Sequence, residues 1–166
     1  MNATNEGQPA DTSLPTMGMA LEFMRVLWAL DHALQSGSKR MNARLGITGP
    51  QRLVVRIIGK RAGISAGQLA AALHVHPSTL TGVLRRLESR GVIERKIAPE
   101  DARRARLYLT REGERVNKWQ LGTIESRIRH ALIRLNPKHV ATACAVLQAV
   151  TRELAELHSS TRKERG

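Results

Sequence analysis

The residues best equipped for chemistry lie between His74 and Arg111 of this 166-residue chain. Nine cations, Arg85, Arg86, Arg90, Arg95, Lys96, Arg103, Arg104, Arg106 and Arg111, stand against four anions, Glu88, Glu94, Glu100 and Asp101, so nine less four leaves a local surplus of five. Guanidinium groups at this density suit phosphate oxygens and guanine edges, both of which accept paired hydrogen bonds. Other reactive types are sparse. Cys144 is the only cysteine, which excludes an intrachain disulfide and a cysteine-rich zinc site and points to a reducing, cytoplasmic compartment. It falls near the apolar seam of the last helix among Ala141, Ala143 and Ala145, the setting of an inert buried thiol. His74 and His76 form a His-x-His pair with no Cys, Asp or Glu nearby to complete a metal set, so neither metal nor cofactor is expected. The sequence offers no convincing nucleophile with its base and no Gly-rich phosphate loop, so the chain is not expected to be an enzyme.

The whole chain shares this bias, with 27 Lys and Arg against 14 Asp and Glu and a formal charge of +13. A polyanionic partner follows, though charge alone fits a solvated basic face or a non-specific nucleic-acid-binding or architectural protein equally well. Placement on structural elements must decide. Aromatics are only 2% of residues, so the core must be built from Leu, Val, Ile and Ala, which favours helices. No run of 18 apolar residues occurs and the first residues lack a basic start and an apolar stretch, so no membrane span or signal peptide is expected.

Apolar spacing and capping residues mark the elements that must position the cations. Residues 1–16 are polar and read as a flexible tail. From Met17 to about Leu45, apolar residues including Leu21, Met24, Leu27, Trp28, Leu30, Leu34 and Met41 recur at helical spacing, with Gly37 as a weak point. Thr48 with Gln51, and Ser65 with Gln68, carry the spacing of capping boxes ahead of two short helices. Pro77 opens another helix reaching Arg90, and Gly91 ends it. Val92, Ile93 and Ile97, then Leu107 and Leu109, form two runs of a β-hairpin whose loop, around Pro99 to Arg104, is basic. Thr110 caps a helix predicted to continue to about Leu135, and after Pro137 a further helix follows. Leu121, Ile124, Ile128, Ala131 and Leu135, then Val140, Ala143, Leu147, Val150, Leu154 and Leu157, mark heptad seams on both. Such seams also suit an intramolecular pair, but they offer more apolar face than a small winged unit can cover, which favours a homodimer.

On the helix from Pro77, Leu80, Val83, Leu84 and Leu87 fall on one side at 100° per residue, and Ser78, Gly82, Arg85 and Ser89 on the other, flanked by Thr79 and Arg86. Small side chains permit close approach to DNA, Ser78, Thr79 and Thr81 can donate to phosphates or base edges, and Arg85 suits guanine or phosphate. Arginines at a hairpin tip suit a narrow minor groove, while Asp101 would repel phosphate and is read as pinning its own loop.

The stretches Leu69-Ala-Ala-Ala-Leu, Ser78-Thr-Leu-Thr, Arg86-Leu-Glu-Ser-Arg-Gly-Val-Ile, Asp101-Ala-Arg-Arg and Leu109-Thr-Arg-Glu-Gly together resemble the MarR family of bacterial transcription regulators, over about Ala20 to Leu157. The resemblance implies a mainly α fold with a small β-hairpin, a winged helix-turn-helix with interlocking terminal dimerisation helices, reading a palindrome in double-stranded DNA. It makes Pro77 to Arg90 the recognition helix, Arg103 the wing-tip arginine, with Arg104 beside it, and Asp101 its structural partner. Ala102, where many relatives carry a second basic residue, and Gly82, often a larger polar group, depart from the pattern. By analogy a small anionic aromatic ligand would sit between winged unit and dimer helices, lined by Trp28, His32 and Arg56. The expected organisation is therefore a tail over 1–16, dimerisation helices over 17–46 and 111–158, a DNA-binding unit over 47–110 and a second flexible tail over 159–166.

Overall fold

The computed structural model describes residues 18–98 and 101–163, with only the backbone described at 98, 101–104 and 157–163. The expected tail over 1–16 and the side chains of Asp101, Arg103 and Arg104 lie outside the described residues. The order is α1 Met19–Leu45, α2 Gly49–Lys60, β1 Ile64–Ser65, α3 Ala66–Leu73, α4 Pro77–Ser89, β2 Ile93–Ala98, β3 Asp101–Leu109, α5 Arg111–Lys118, α6 Ile124–Leu132 and α7 Pro137–Lys163. A mainly helical protein with a small antiparallel sheet, in the order β1-β3-β2, is what the apolar spacing predicts. The two-residue strand β1, too short to leave a period-two signal, was not anticipated from sequence; it pairs Ile64 with Leu107.

Local chemistry sets most boundaries. Both capping boxes form: the Gln51 N–H donates to Thr48 Oγ1 at 3.4 Å while Gln51 Oε1 accepts from the Thr48 N–H at 3.0 Å, and Ser65 and Gln68 repeat the exchange at 3.2 and 3.1 Å. Gly46 (φ 66°) and Gly91 (φ 65°) take left-handed backbone to close α1 and α4. Gly37 does not interrupt α1. A Cβ there would make ordinary contact with Ile124 Cγ1 at 3.5 Å, whereas one on Gly49 would meet Ile124 Cδ1 at 2.9 Å.

The single helix predicted from Thr110 to Leu135 is two. The chain leaves α5 at Trp119, Gly122 turns it at φ 76°, and Thr123, accepting from the Ser126 N–H at 3.3 Å, caps a new helix. Leu121 therefore sits in the corner, 92% exposed, and belongs to no seam. One buried arginine stabilises the corner: Arg52, on α2, donates to the carbonyls of Val116, Asn117 and Trp119 and pairs with Glu125 through Nε at 2.6 Å. Carbonyls left over where α5 ends thus find a charged donor, and the buried charge finds a carboxylate. α7 runs to Lys163, into the segment expected as a tail.

The core lies inside the winged unit. Val55, Ile58, Leu69, Leu87 and Leu107 are fully covered there, joined by Val116 from α5, which packs against α2 so closely that a Cβ on Gly59 would meet Asn117.

Candidate nucleic-acid interface

The recognition surface starts from the turn between α3 and α4. His74 closes α3 in left-handed backbone (φ 52°), and His76 caps α4, its Nδ1 accepting from the Ser78 N–H at 3.3 Å and lying 2.7 Å from Ser78 Oγ. Both histidines thus serve the turn. Among the described residues no group of three His, Cys, Asp or Glu could hold a metal ion.

Leu80, Leu84 and Leu87 anchor α4 in the core and leave the opposite face to solvent. On that face Arg85 is exposed and makes no hydrogen bond or ion pair among the described residues, so its guanidinium has every donor available. The other predicted contacts are partly committed. Thr81 Oγ1 donates to the Pro77 carbonyl at 2.9 Å, and Arg86 Nε donates to the Gly82 carbonyl at 3.1 Å. Gly82 has open space beyond it apart from the Arg86 side chain at 3.6 Å. Thr79 points to the flank, where it lines a cleft.

The hairpin is braced against this helix. Arg95 of β2 pairs with Glu88 of α4, and Lys96 lies 2.9 Å from Glu94 and 5.3 Å from the Tyr108 ring centroid, an arrangement in which the hydrogen bond that Lys96 donates to Glu94 raises the lysine's pKa above its ordinary value. The register pairs Ile93 with Leu109 and Arg95 with Leu107 and becomes irregular at Ala98, where the hairpin tip begins. Glu88 and Arg95 went unremarked as a pair in the sequence, where seven positions separate them; their positions on either side of Gly91, which folds the strand back along the helix, were the available signal.

Residues 47–105 match the model of the MarR family. The matched segment runs from just before α2 into β3. The transcriptional regulator HosA of Escherichia coli O111:H- is 39% identical to it over 70 residues, 42% of this chain and 52% of HosA. The chain spans about half the length of the curated relatives it matches. The likeness extends beyond the matched segment: reduced MarR from E. coli superposes with a TM-score of 0.58 at 25% identity, over 82% of this chain and 98% of that one. The S. aureus MepR–DNA complex gives 0.66 at 19% identity, over 80% and 97%. The winged-helix architecture is therefore shown.

The matched segment also borders a cleft of about 920 Å³ between α2, α4 and α6. Leu53, Ile57, Val83, Ile128 and Leu132 give it an apolar lining, and Arg56, Lys60, Arg129 and Glu125 supply charge. Of the three residues expected to hold a ligand, Arg56 lines this cleft, tied to Asn117 by bonds of 2.8 and 3.0 Å. Trp28, 77% exposed, and His32, also exposed on α1, are not among its lining residues. Cys144, expected to be buried near a seam, is exposed on α7 of this single chain, because α7 covers little of its own protomer.

Proposed function

We propose that the chain is a homodimeric, sequence-specific DNA-binding regulator of transcription that represses by occupying a palindromic operator in double-stranded DNA. The observation that carries this reading is α4 of the segment that matches the MarR family, anchored by three leucines and presenting Ser78, Gly82 and the uncommitted Arg85 outward. Side chains of this size and type admit the backbone to a major groove and leave a guanidinium for a base edge or phosphate. Arg103 and Arg104, with Asp101 holding their loop, serve the adjacent minor groove in this proposal.

Dimerisation is supported by what one protomer leaves bare. Val146, Leu147 and Leu154 of α7 and Leu21, Met24 and Trp28 of α1 are exposed, and a second copy offers the matching face by symmetry. The cleft suits a small anionic aromatic ligand, its rings against Leu53 and Ile128 and its charge toward Arg56. Such a ligand releases DNA only if it favours a dimer whose recognition helices are misplaced for the grooves.

Selection of binding sites from random duplex DNA at near-physiological salt tests the proposal. An inverted repeat with half-site centres about ten base pairs apart supports it. Enrichment without a motif, collapsing as salt rises, would replace it with non-specific, architectural binding.

A further inference from the structure

The far end of α4 opens on a second pocket, of about 430 Å³, between the end of α1 and the start of α2. Asn42, Thr48, Gln51, Arg86, Ser89 and Arg90 supply its polar lining, and among the described residues no carboxylate lines it. Arg86 and Arg90 are four residues apart on one flank of α4, so their like charges are neighbours and repel unless an anion lies between them. Both guanidiniums are aimed. Arg90 Nη1 donates to the carbonyl of Gly46, where α1 turns, and Arg86 Nε donates to Gly82. The terminal nitrogens of Arg86 and the Nε and Nη2 of Arg90 find no acceptor among the described residues.

The start of α2 supplies none of the grip. The Gly49 N–H already donates to Ser38 Oγ at 2.8 Å, the Gln51 N–H to Thr48, and Pro50 has no N–H. Whatever binds is held by side chains, and two guanidiniums flanked by an amide and a hydroxyl match the several acceptor oxygens of a phosphate group.

We propose that this pocket is a phosphate site clamped by Arg86 and Arg90. Its source is the DNA backbone, an assignment that rests on the duplex-binding reading above. The Arg86 and Arg90 flank adjoins the face carrying Ser78, Gly82 and Arg85, so a strand whose bases meet that face carries its phosphates past the pocket. Arg90 thereby becomes a contact that adds affinity without reading sequence.

Equilibrium binding to a selected duplex and to a random duplex, across a salt series, tests the site with full-length wild type, Arg90→Gln and Arg90→Lys. The glutamine variant is expected to lower the salt slope by about one unit on both duplexes, leaving their affinity ratio unchanged, while the lysine variant keeps the slope. An unchanged slope in Arg90→Gln overturns the site. So does a loss confined to the selected duplex, or an equal loss in both variants with a lowered melting temperature, which marks a purely structural bond to Gly46. If wild type binds no duplex even at low salt, the regulator reading fails and inorganic phosphate decides the pocket. Amide shifts at Asn42 and Ser89 that appear in wild type and vanish in Arg90→Gln sustain a free-phosphate site, and their absence overturns it.

Discussion

The winged unit and the long helices treat apolar side chains in opposite ways. In the winged unit, Val55, Ile58, Leu69 and Leu107 are fully covered, and the buried Arg52 at its edge has its donors satisfied by carbonyls at the end of α5 and by Glu125. Of the 27 residues of α1, only Met41 is buried, and α7 keeps Val146, Leu147 and Leu154 in solvent. The winged unit completes its own core, whereas the long helices carry a face whose burial must come from another surface. Stability in one region is a property of the chain; in the other it depends on protomer concentration.

The largest test of that contrast falls where the regions join. Arg52→Met leaves Glu125 and the carbonyls at the end of α5 without their donor, and about 3–5 kcal/mol should be lost in urea unfolding at every protein concentration. A loss that shrinks as concentration rises would place Arg52 with the long helices instead. Gly113→Ala should cost about 3 kcal/mol or more, because the added Cβ lies 2.0 Å from the Val92 carbonyl oxygen, and main chain cannot rotate away as a side chain can. A melting temperature within a degree of wild type would show that α5 is free to lift from the sheet.

A matched pair of truncations comes next. Leu84→Ala should lower stability by at least about 2 kcal/mol whatever the concentration, and Leu147→Ala should act chiefly on the monomer–dimer equilibrium read by sedimentation. Equal, concentration-independent effects would erase the distinction. The smallest effect is expected within the winged unit itself. Glu88→Gln removes a negative charge near the proposed DNA face, yet it also frees Arg95 and with it the hairpin, so affinity for duplex should fall about fivefold, the equivalent of ~1 kcal/mol. A rise in affinity would show that the ion pair does not brace the wing.

What was legible in the sequence was what neighbours decide. Thr48 with Gln51 and Ser65 with Gln68 settle helix starts within a single turn, and the leucines of α4 reveal both its buried side and the outward face. The corner after α5 was missed because Leu121, which sits in it, keeps helical spacing with Ile124 and Ile128. Gly122 followed by Thr123, a helix stop and then a cap, was the overlooked sign. Arg52 was invisible for a different reason: its acceptors lie more than sixty positions away. An arginine beside the apolar stripe of α2 signals that a partner exists and says nothing of where. The cleft followed the same logic, since Arg56 was named only by analogy with the family resemblance, while Ile128 and Leu132 arrive only once the chain has turned its corner.

The seat of Ile124 between Gly37 and Gly49 has a consequence for the order in which the protein assembles. Glu125 and Arg52 are 73 residues apart, and the contact of Ile124 with Gly37 closes a still longer loop containing the entire winged unit. Closing that loop through an unfolded chain is entropically costly, but it becomes cheap once the intervening residues have condensed. The winged unit should therefore form before the barrier is crossed and α6 should seat itself after it. Trimming Ile124 to valine would then quicken unfolding and leave the folding rate almost untouched.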